Sequence, residues 1–329
     1  MNQHAANGMV LNLVVDTDVG SDDAMALILC AAAERRGVAR VWGVTCVHGN
    51  TALRHVCANT LKTLHTLRRL DIPVYRGAAT SLVRGFERAS NIHGADGFGD
   101  FEYPDAPDVE ATLQREHAVN YLTRVTAEHP GEVTLLCLGP LTNVALAARM
   151  DPAFCSNLKE VFVMGGNSGG IGNVTAAAEF NFYCDPEAAH VVIHNMRCPI
   201  TIFPWEAAFL HGRLPYEWRK NVLGAVASAQ ARLMNKVERV MLEQELYGVW
   251  ARCDPLAAAI LLEPRVATVL KRAYVTVELS GEATRGAMVV DHLQKLGRDP
   301  NVTLVERVDV ELYKQMLLEA FAPEPNELD

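Results

Sequence analysis

The sequence predicts an α/β protein with an open, doubly wound, mostly parallel sheet and helices on both faces. Short runs rich in Val, Ile and Leu alternate with longer segments of helical period, the pattern of successive βαβ units. The runs are continuously apolar, as strands buried on both faces must be. No Pro/Ser-rich linker or break in composition divides the 329 residues, so a single domain over residues 1–329 is expected.

Residues 11–15 open the sheet as a strand, and residues 22–34 follow as a helix. Residues 41–47 form the second strand and 53–67 the second helix. Residues 84–107, with three glycines between Gly94 and Gly99 and aromatics nearby, read as a loop. Then come a helix at 119–128, a strand at 133–138, a helix at 141–149 and a strand at 161–164. A helix at 186–194 precedes the strand at 200–203, and a long charged helix is expected over 222–246. β-like runs recur at 274–279, 287–290 and 302–305, and residues 310–321 close as a helix. In such sheets ligands bind outside the carboxyl ends of the strands.

Charge and composition exclude several classes. Lys+Arg 30 against Asp+Glu 39 gives a formal net charge of −9. That balance, with no basic block, argues against nucleic-acid and anionic-membrane partners. No apolar run approaches the roughly 18–20 residues of a membrane span. The run from Val10 to Val15 is short, lacks a basic flank and ends at Asp16, unlike a signal peptide. The 8 cysteines are scattered singly without a CxxC, so neither a disulfide framework nor a zinc site is suggested. A cytoplasmic location is the expectation.

The most informative segment is Asp16-Thr17-Asp18-Val19-Gly20-Ser21-Asp22-Asp23-Ala24. Asp16 and Asp18 are two apart at a strand end, so both can point to one side of the sheet edge. Gly20 permits a turn and Ser21 can cap the next helix, with Asp22 and Asp23 in its first turn. Four carboxylates crowd one turn, and no Lys or Arg precedes Arg35. Such charges repel unless a cation joins them, and oxygen donors without thiolate or imidazole suit Ca²⁺ or Mg²⁺. An EF-hand is excluded, since Leu27 stands where its bidentate Glu belongs. A phosphate-binding glycine loop is excluded because the turn has no GxxxxGK and repels anions. Asp-x-Asp after a first strand also resembles the haloacid-dehalogenase phosphatases. The matching acidic motif is missing at Met164-Gly165-Gly166-Asn167.

Taken in order, further motifs resemble the inosine–uridine-preferring nucleoside hydrolases. That family opens on Asp-x-Asp-x-Gly-x-Asp-Asp-Ala, matched from Asp16 to Ala24. Gly49-Asn50, His93-Gly94-Ala95-Asp96-Gly97, Gly139-Pro140-Leu141-Thr142-Asn143 and Met164-Gly165-Gly166 follow. Glu179-Phe180-Asn181, Asp185-Pro186-Glu187-Ala188, Asp254-Pro255 and the tail Asn301-Val302-Thr303 carry the likeness to the end. The resemblance implies a Rossmann-like nucleoside hydrolase fold, cleavage of ribonucleosides to ribose and free base, and one Ca²⁺. It implies Asp18, Asp23, the carbonyl of Thr142 and Asp254 as calcium ligands. Asp22 would take the ribose 2′-hydroxyl, while Asn50, Met164, Asn173, Glu179, Asn181 and Asp254 would line the remaining sugar. Glu179 and Asn181 alternate across Phe180, so as an extended pair they could share one face. Homodimers or homotetramers are common in the family and are expected here.

The implied mechanism passes through an oxocarbenium-like ribose, which an acidic pocket stabilises. Ca²⁺ would lower the pKa of a water and Asp18 would act as general base. Several family members place His before the last calcium-binding Asp, where this chain has Arg252-Cys253-Asp254. It resembles the subgroup with Cys there. A thiol of ordinary pKa is mostly protonated at neutral pH, so Cys253 is one candidate acid for the leaving base. It is equally accounted for as a small buried hydrophobe. His93 is the other candidate donor. Tyr247 and Trp250 could stack on the base or simply pack the end of the long helix. The rival functions are a haloacid-dehalogenase-type phosphatase and a nucleoside-binding homologue with little turnover.

Overall fold

The computed structural model describes residues 10–85, 94–245 and 248–323. Its strands are β1 (Leu11–Thr17), β2 (Ala39–Cys46), β3 (Val74–Arg76), β4 (Val133–Cys137) and β5 (Glu160–Met164). They continue as β6 (Ile200–Phe203), β7 (Ala267–Ala273), β8 (Val275–Val277), β9 (Met288–Val290) and β10 (Val302–Val308). An 8-stranded sheet has the order β3-β2-β1-β4-β5-β6-β10-β7, parallel throughout except where β7 pairs antiparallel with β10. β8 and β9 form a separate antiparallel pair.

The continuous apolar runs have the cause expected of them. Along β1, Leu13 and Val15 enter one hydrophobic cluster while Val14 enters the other. In β5, Phe162 and Met164 face the first cluster and Val161 and Val163 the second. Helices Ser21–Arg35, Leu53–Thr66, Cys253–Leu262 and Val310–Phe321 contribute to the first cluster. Helices Ala118–Glu128, Thr142–Met150 and Pro186–Asn195 contribute to the second. Helix Ser21–Arg35 is buried from Asp23 to Ala33, packed between the sheet and helices Cys253–Leu262 and Val310–Phe321. That is why its sequence is apolar on all sides.

Strand order reverses between β1 and β4, which places a crevice at their carboxyl ends. Among the described residues, no helix is long and apolar enough to cross a membrane.

One expectation is corrected, and two strands are added that the sequence pattern does not show. The helix expected over 222–246 is a π-helical turn, Arg219–Leu223, followed by two helices, Ala229–Val237 and Arg239–Gln244. Ser228 caps the first of these by accepting from the Ala231 N–H, and Glu238 joins the two with its carboxylate turned inward. β7 escaped notice because this edge strand is mostly exposed and lacks a clean apolar alternation. β3 was missed because it spans only three residues. The loop reading of 84–107 holds for its described part, in which 94–107 contain no helix or strand.

Candidate functional site

Four acidic residues follow from the end of β1, and each has a different environment. Asp16 points into the fold: its Oδ1 accepts from Thr45 Oγ1 at 2.6 Å and from Asn143 Nδ2 at 2.8 Å. Burial outweighs those bonds and pushes its carboxyl up to about 7. Asp18 is enclosed by glycines, since a Cβ on Gly49 would fall 2.0 Å from Oδ2 and one on Gly139 2.8 Å from Oδ1. Its Oδ2 accepts from the Asn50 N–H at 2.7 Å, while its buried Oδ1 has no donor among the described residues. Asp23 accepts from Thr17 Oγ1 at 2.5 Å, the Gly20 N–H at 2.9 Å and Asn50 Nδ2 at 3.1 Å. Asn50 therefore holds both Asp18 and Asp23.

From across the crevice, helix Cys253–Leu262 brings Asp254 in its first turn. Carboxylate oxygens of Asp22, Asp23 and Asp254 all lie within 4.8 Å of one another. Burial, then mutual repulsion, raises the carboxyls of Asp18, Asp23 and Asp254. The donor set is all oxygen, its charges repel, and Asp18 Oδ1 is unspent. These features fit a hard divalent cation. Asp22, assigned from the resemblance to the sugar alone, shares this carboxylate cluster.

On the β5 side, Glu179 and Asn181 are both buried, but not as an extended pair. Glu179 is the N-cap of a short helix, Phe180–Cys184, and accepts from the N–H groups of Gly166, Asn181 and Phe182. Burial still pushes its carboxyl up to about 7. Asn181 Nδ2 donates to the carbonyls of Leu138 at 2.7 Å and Met164 at 3.2 Å, which ties it to the carboxyl ends of β4 and β5. Asn173 is exposed, its Oδ1 accepting from the Phe180 N–H at 2.9 Å. Thr142 is buried, and its hydroxyl donates to Asp185 at 2.7 Å.

The leaving-group candidates separate. Cys253 is half-buried at the start of the Asp254 helix. Burial first, then the charges of Asp22 and Glu179, push its thiol well above the ordinary range. Trp250 is 1% exposed and donates its Nε1–H to Glu238 at 3.0 Å. Packing therefore accounts for it, and the stacking role is withdrawn. His93 and Tyr247 lie outside the described residues. A cavity of about 390 Å³, bordered by Ser21, Gly94, Asp100, Val237, Glu238 and Met241, opens beside the acidic turn. A larger one of about 620 Å³ is lined by Arg40, Val41 and Trp42 near the start of β2, away from the carboxylates.

Sequence reasoning assigned no role to Asn143, Asp185, Arg252 or Glu238. Asn143 and Asp185 stood inside quoted motifs, yet their partners, Asp16 and Thr142, are set only by the tertiary fold.

A family model described as inosine-uridine preferring nucleoside hydrolase matches residues 13–315. The pyrimidine-specific ribonucleoside hydrolase RihA of Salmonella paratyphi C is 32% identical over 315 residues, covering 94% of this chain and 98% of that relative. RihA of Klebsiella pneumoniae subsp. pneumoniae is 33% identical over 317 residues, with 95% and 99% covered. Among solved structures, an inosine-guanosine nucleoside hydrolase superposes with TM-score 0.87 at 30% identity, covering 95% of this chain and 99% of that one. A plant nucleoside hydrolase gives 0.86 at 28% identity, with 96% and 100% covered.

Proposed function

Since the chain belongs to the inosine-uridine preferring nucleoside hydrolase family and is a ribonucleoside hydrolase, we propose that it splits the N-glycosidic bond with a divalent cation, Ca²⁺, held at the β1 turn. The observation that carries this reading is the convergence of Asp22, Asp23 and Asp254 beside the undonated Oδ1 of Asp18. Asp18, Asp23 and Asp254 would hold the cation, together with the Thr142 carbonyl. When bound, the cation supplies a fixed positive charge that orients ribose hydroxyls and lowers the pKa of a neighbouring water.

Asp18 accepts the proton of the attacking water through a carboxylate whose Oδ1 has no donor among the described residues. Asp22 accepts from the ribose 2′-hydroxyl. Asn50, Asn173, Glu179, Asn181 and Met164 surround the rest of the sugar, with Glu179 and Asn181 held rigid by the bonds they already make. The surrounding carboxylates favour the positive charge that develops on C1′ and O4′. Cys253, kept protonated by burial, donates a proton to the departing base. The protein is proposed to act as a single domain, as a homodimer or homotetramer, in the cytoplasm.

Incubation with inosine, guanosine, uridine and cytidine tests the reading. Free base and ribose are expected from at least one. Phosphate release from a monoester without base release would favour the phosphatase instead. Tight nucleoside binding without turnover would favour a binding protein. The named relatives differ in base, RihA being pyrimidine-specific and the superposed enzyme inosine-guanosine, so the panel spans both.

The sugar contact carries its own expectation. Asp22 is half-buried, and bound substrate would close it off further, so a carboxylate left there without its hydroxyl partner is costly and 2′-deoxyinosine should lose about 10²-fold or more in kcat/KM relative to inosine. Comparable rates on both would remove Asp22 from the 2′-hydroxyl.

The raised carboxyls also set a pH dependence. Raised by burial and mutual repulsion, the carboxyls of Asp18, Asp23 and Asp254 hold protons in the fold, above the ordinary carboxylate range, that the unfolded chain has already released. Such groups therefore destabilise the cation-free protein progressively as pH rises through that window. A cation displaces the protons, so its stabilising effect grows over the same range. The difference in Tm between Ca²⁺ and chelator should be larger near pH 7.5 than near pH 5. A flat difference would exclude these carboxylates as ligands.

A further inference from the structure

Behind the site lies an ion cluster that the hydrolysis scheme does not use. Glu238, whose side chain is fully buried, receives three donors. Arg219 Nε binds its Oε2 at 2.8 Å, while Arg252 Nε at 2.7 Å and Trp250 Nε1 at 3.0 Å share its Oε1. Both guanidinium groups also lie over the Trp250 ring, at 5.9 and 5.8 Å from its centroid. Burial alone would raise the Glu238 carboxyl, but Arg252, Arg219 and the Trp250 N–H together hold it below the usual carboxylate range.

Stability does not explain such a cluster. Desolvating three charges is expensive, and a buried Arg–Glu–Arg set can often be exchanged for apolar residues without loss. Here the cost is compounded, because Nη2 of both arginines is buried without an acceptor among the described residues. Two cations against one anion also leave a surplus positive charge. After Glu238, the charge of Asp22 is the next to favour the charged Arg252.

The geometry of the chain shows what the cluster fixes. Trp250 is bonded through its backbone to Leu214 in both directions, at 2.8 and 2.9 Å, and through its ring to Glu238. Arg252, two residues on, is bonded to the same oxygen and is the N-cap residue of helix Cys253–Leu262. Asp254 stands in the first turn of that helix. One buried carboxylate thus pins the segment 250–252 at two side chains, immediately before the residues that face the sugar and the cation.

We propose that Glu238 is a positioning residue for the hydrolase: its carboxylate anchors Trp250 and Arg252, which sets the helix turn presenting Cys253 and Asp254. The proposal rests on the reading of Asp22, Asp23 and Asp254 as the sugar and cation site. Its effect runs through the position of Asp254, so cation affinity and kcat respond together, while KM follows less.

Two variants test it, each read by Tm, by Ca²⁺ affinity from titrated thermal shifts, and by kcat and KM on the best ribonucleoside. Glu238→Gln should weaken Ca²⁺ binding and lower kcat by about 10–100-fold each, with Glu238→Asp recovering part of both. The triple variant Arg219→Met, Glu238→Met, Arg252→Met replaces the cluster by apolar side chains. It should melt at or above the wild-type temperature yet keep the weak Ca²⁺ binding and low kcat. If the triple variant regains wild-type Ca²⁺ affinity and kcat along with its Tm, the cluster is only structural and the proposal is overturned. Wild-type values in Glu238→Gln overturn it equally. Should the wild-type protein release no base from any ribonucleoside, the hydrolase reading fails on its own, and the Ca²⁺ titrations still decide the role of Glu238.

Discussion

Asp23→Asn and Asp254→Asn are each expected to lower kcat/KM by about 10³-fold or more, and the double variant to be hardly worse than either alone. The reason for the non-additivity is geometric. The two carboxylates, with Asp22, place oxygens within 4.8 Å of one another, so a cation bound there would need them jointly. Stability should move the other way. Burial and mutual repulsion raise these carboxyls, so replacing one by its neutral isostere relieves the cation-free fold. In chelator near pH 7.5, both variants should melt at or above the wild-type temperature, and both should lose the upward shift that Ca²⁺ gives the wild type. Calorimetry and nucleoside kinetics on the same preparations check this. A variant that kept its Ca²⁺ shift while losing activity would move that residue from the cation to the sugar. Full activity in either would dismantle the site.

Much of the fold could be read from the chain because its strands are covered on both faces. Short, continuous apolar runs such as Leu135, Leu136 and Cys137 suit strands buried on both faces, and the structure divides them between two hydrophobic clusters. The acidic turn was legible for a similar reason. Four carboxylates without a nearby Lys or Arg are self-repelling, so a cation is the economical explanation. What stayed hidden depends on long-range pairing. Edge strand β7 buries too little to show a pattern. The helix expected over 222–246 breaks where Glu238 turns inward, and its partners lie 19 residues before it and 14 after. Glu179 and Asn181 read as an extended pair because alternation was the only local signal. Glu179 is instead a helix cap, satisfied by three backbone N–H groups. Trp250 could be read either way from sequence, and only the bond to Glu238 shows that its ring is spent on packing.

The environment of Cys253 makes its replacement selective. The thiol starts the helix that bears Asp254, and the charges of Asp22 and Glu179 are the largest influences on it after burial. All three push toward the protonated form, so at neutral pH the group is a proton donor and not a nucleophile. A donor matters only where the leaving group needs a proton. Inosine and uridine leave as poor anions, whereas a p-nitrophenyl riboside leaves as a stable phenolate. Cys253→Ala should therefore slow the nucleosides by about 10²–10⁴-fold, the usual range for a general acid, and leave the nitrophenyl riboside nearly intact. Cys253→Ser, which keeps a small hydroxyl of much higher pKa, should recover little of the lost rate. Equal loss on both substrates would instead show that Cys253 packs behind Asp254 and sets the position of that carboxylate. Undiminished rates on both would assign the proton to another donor, with His93 the next residue to replace.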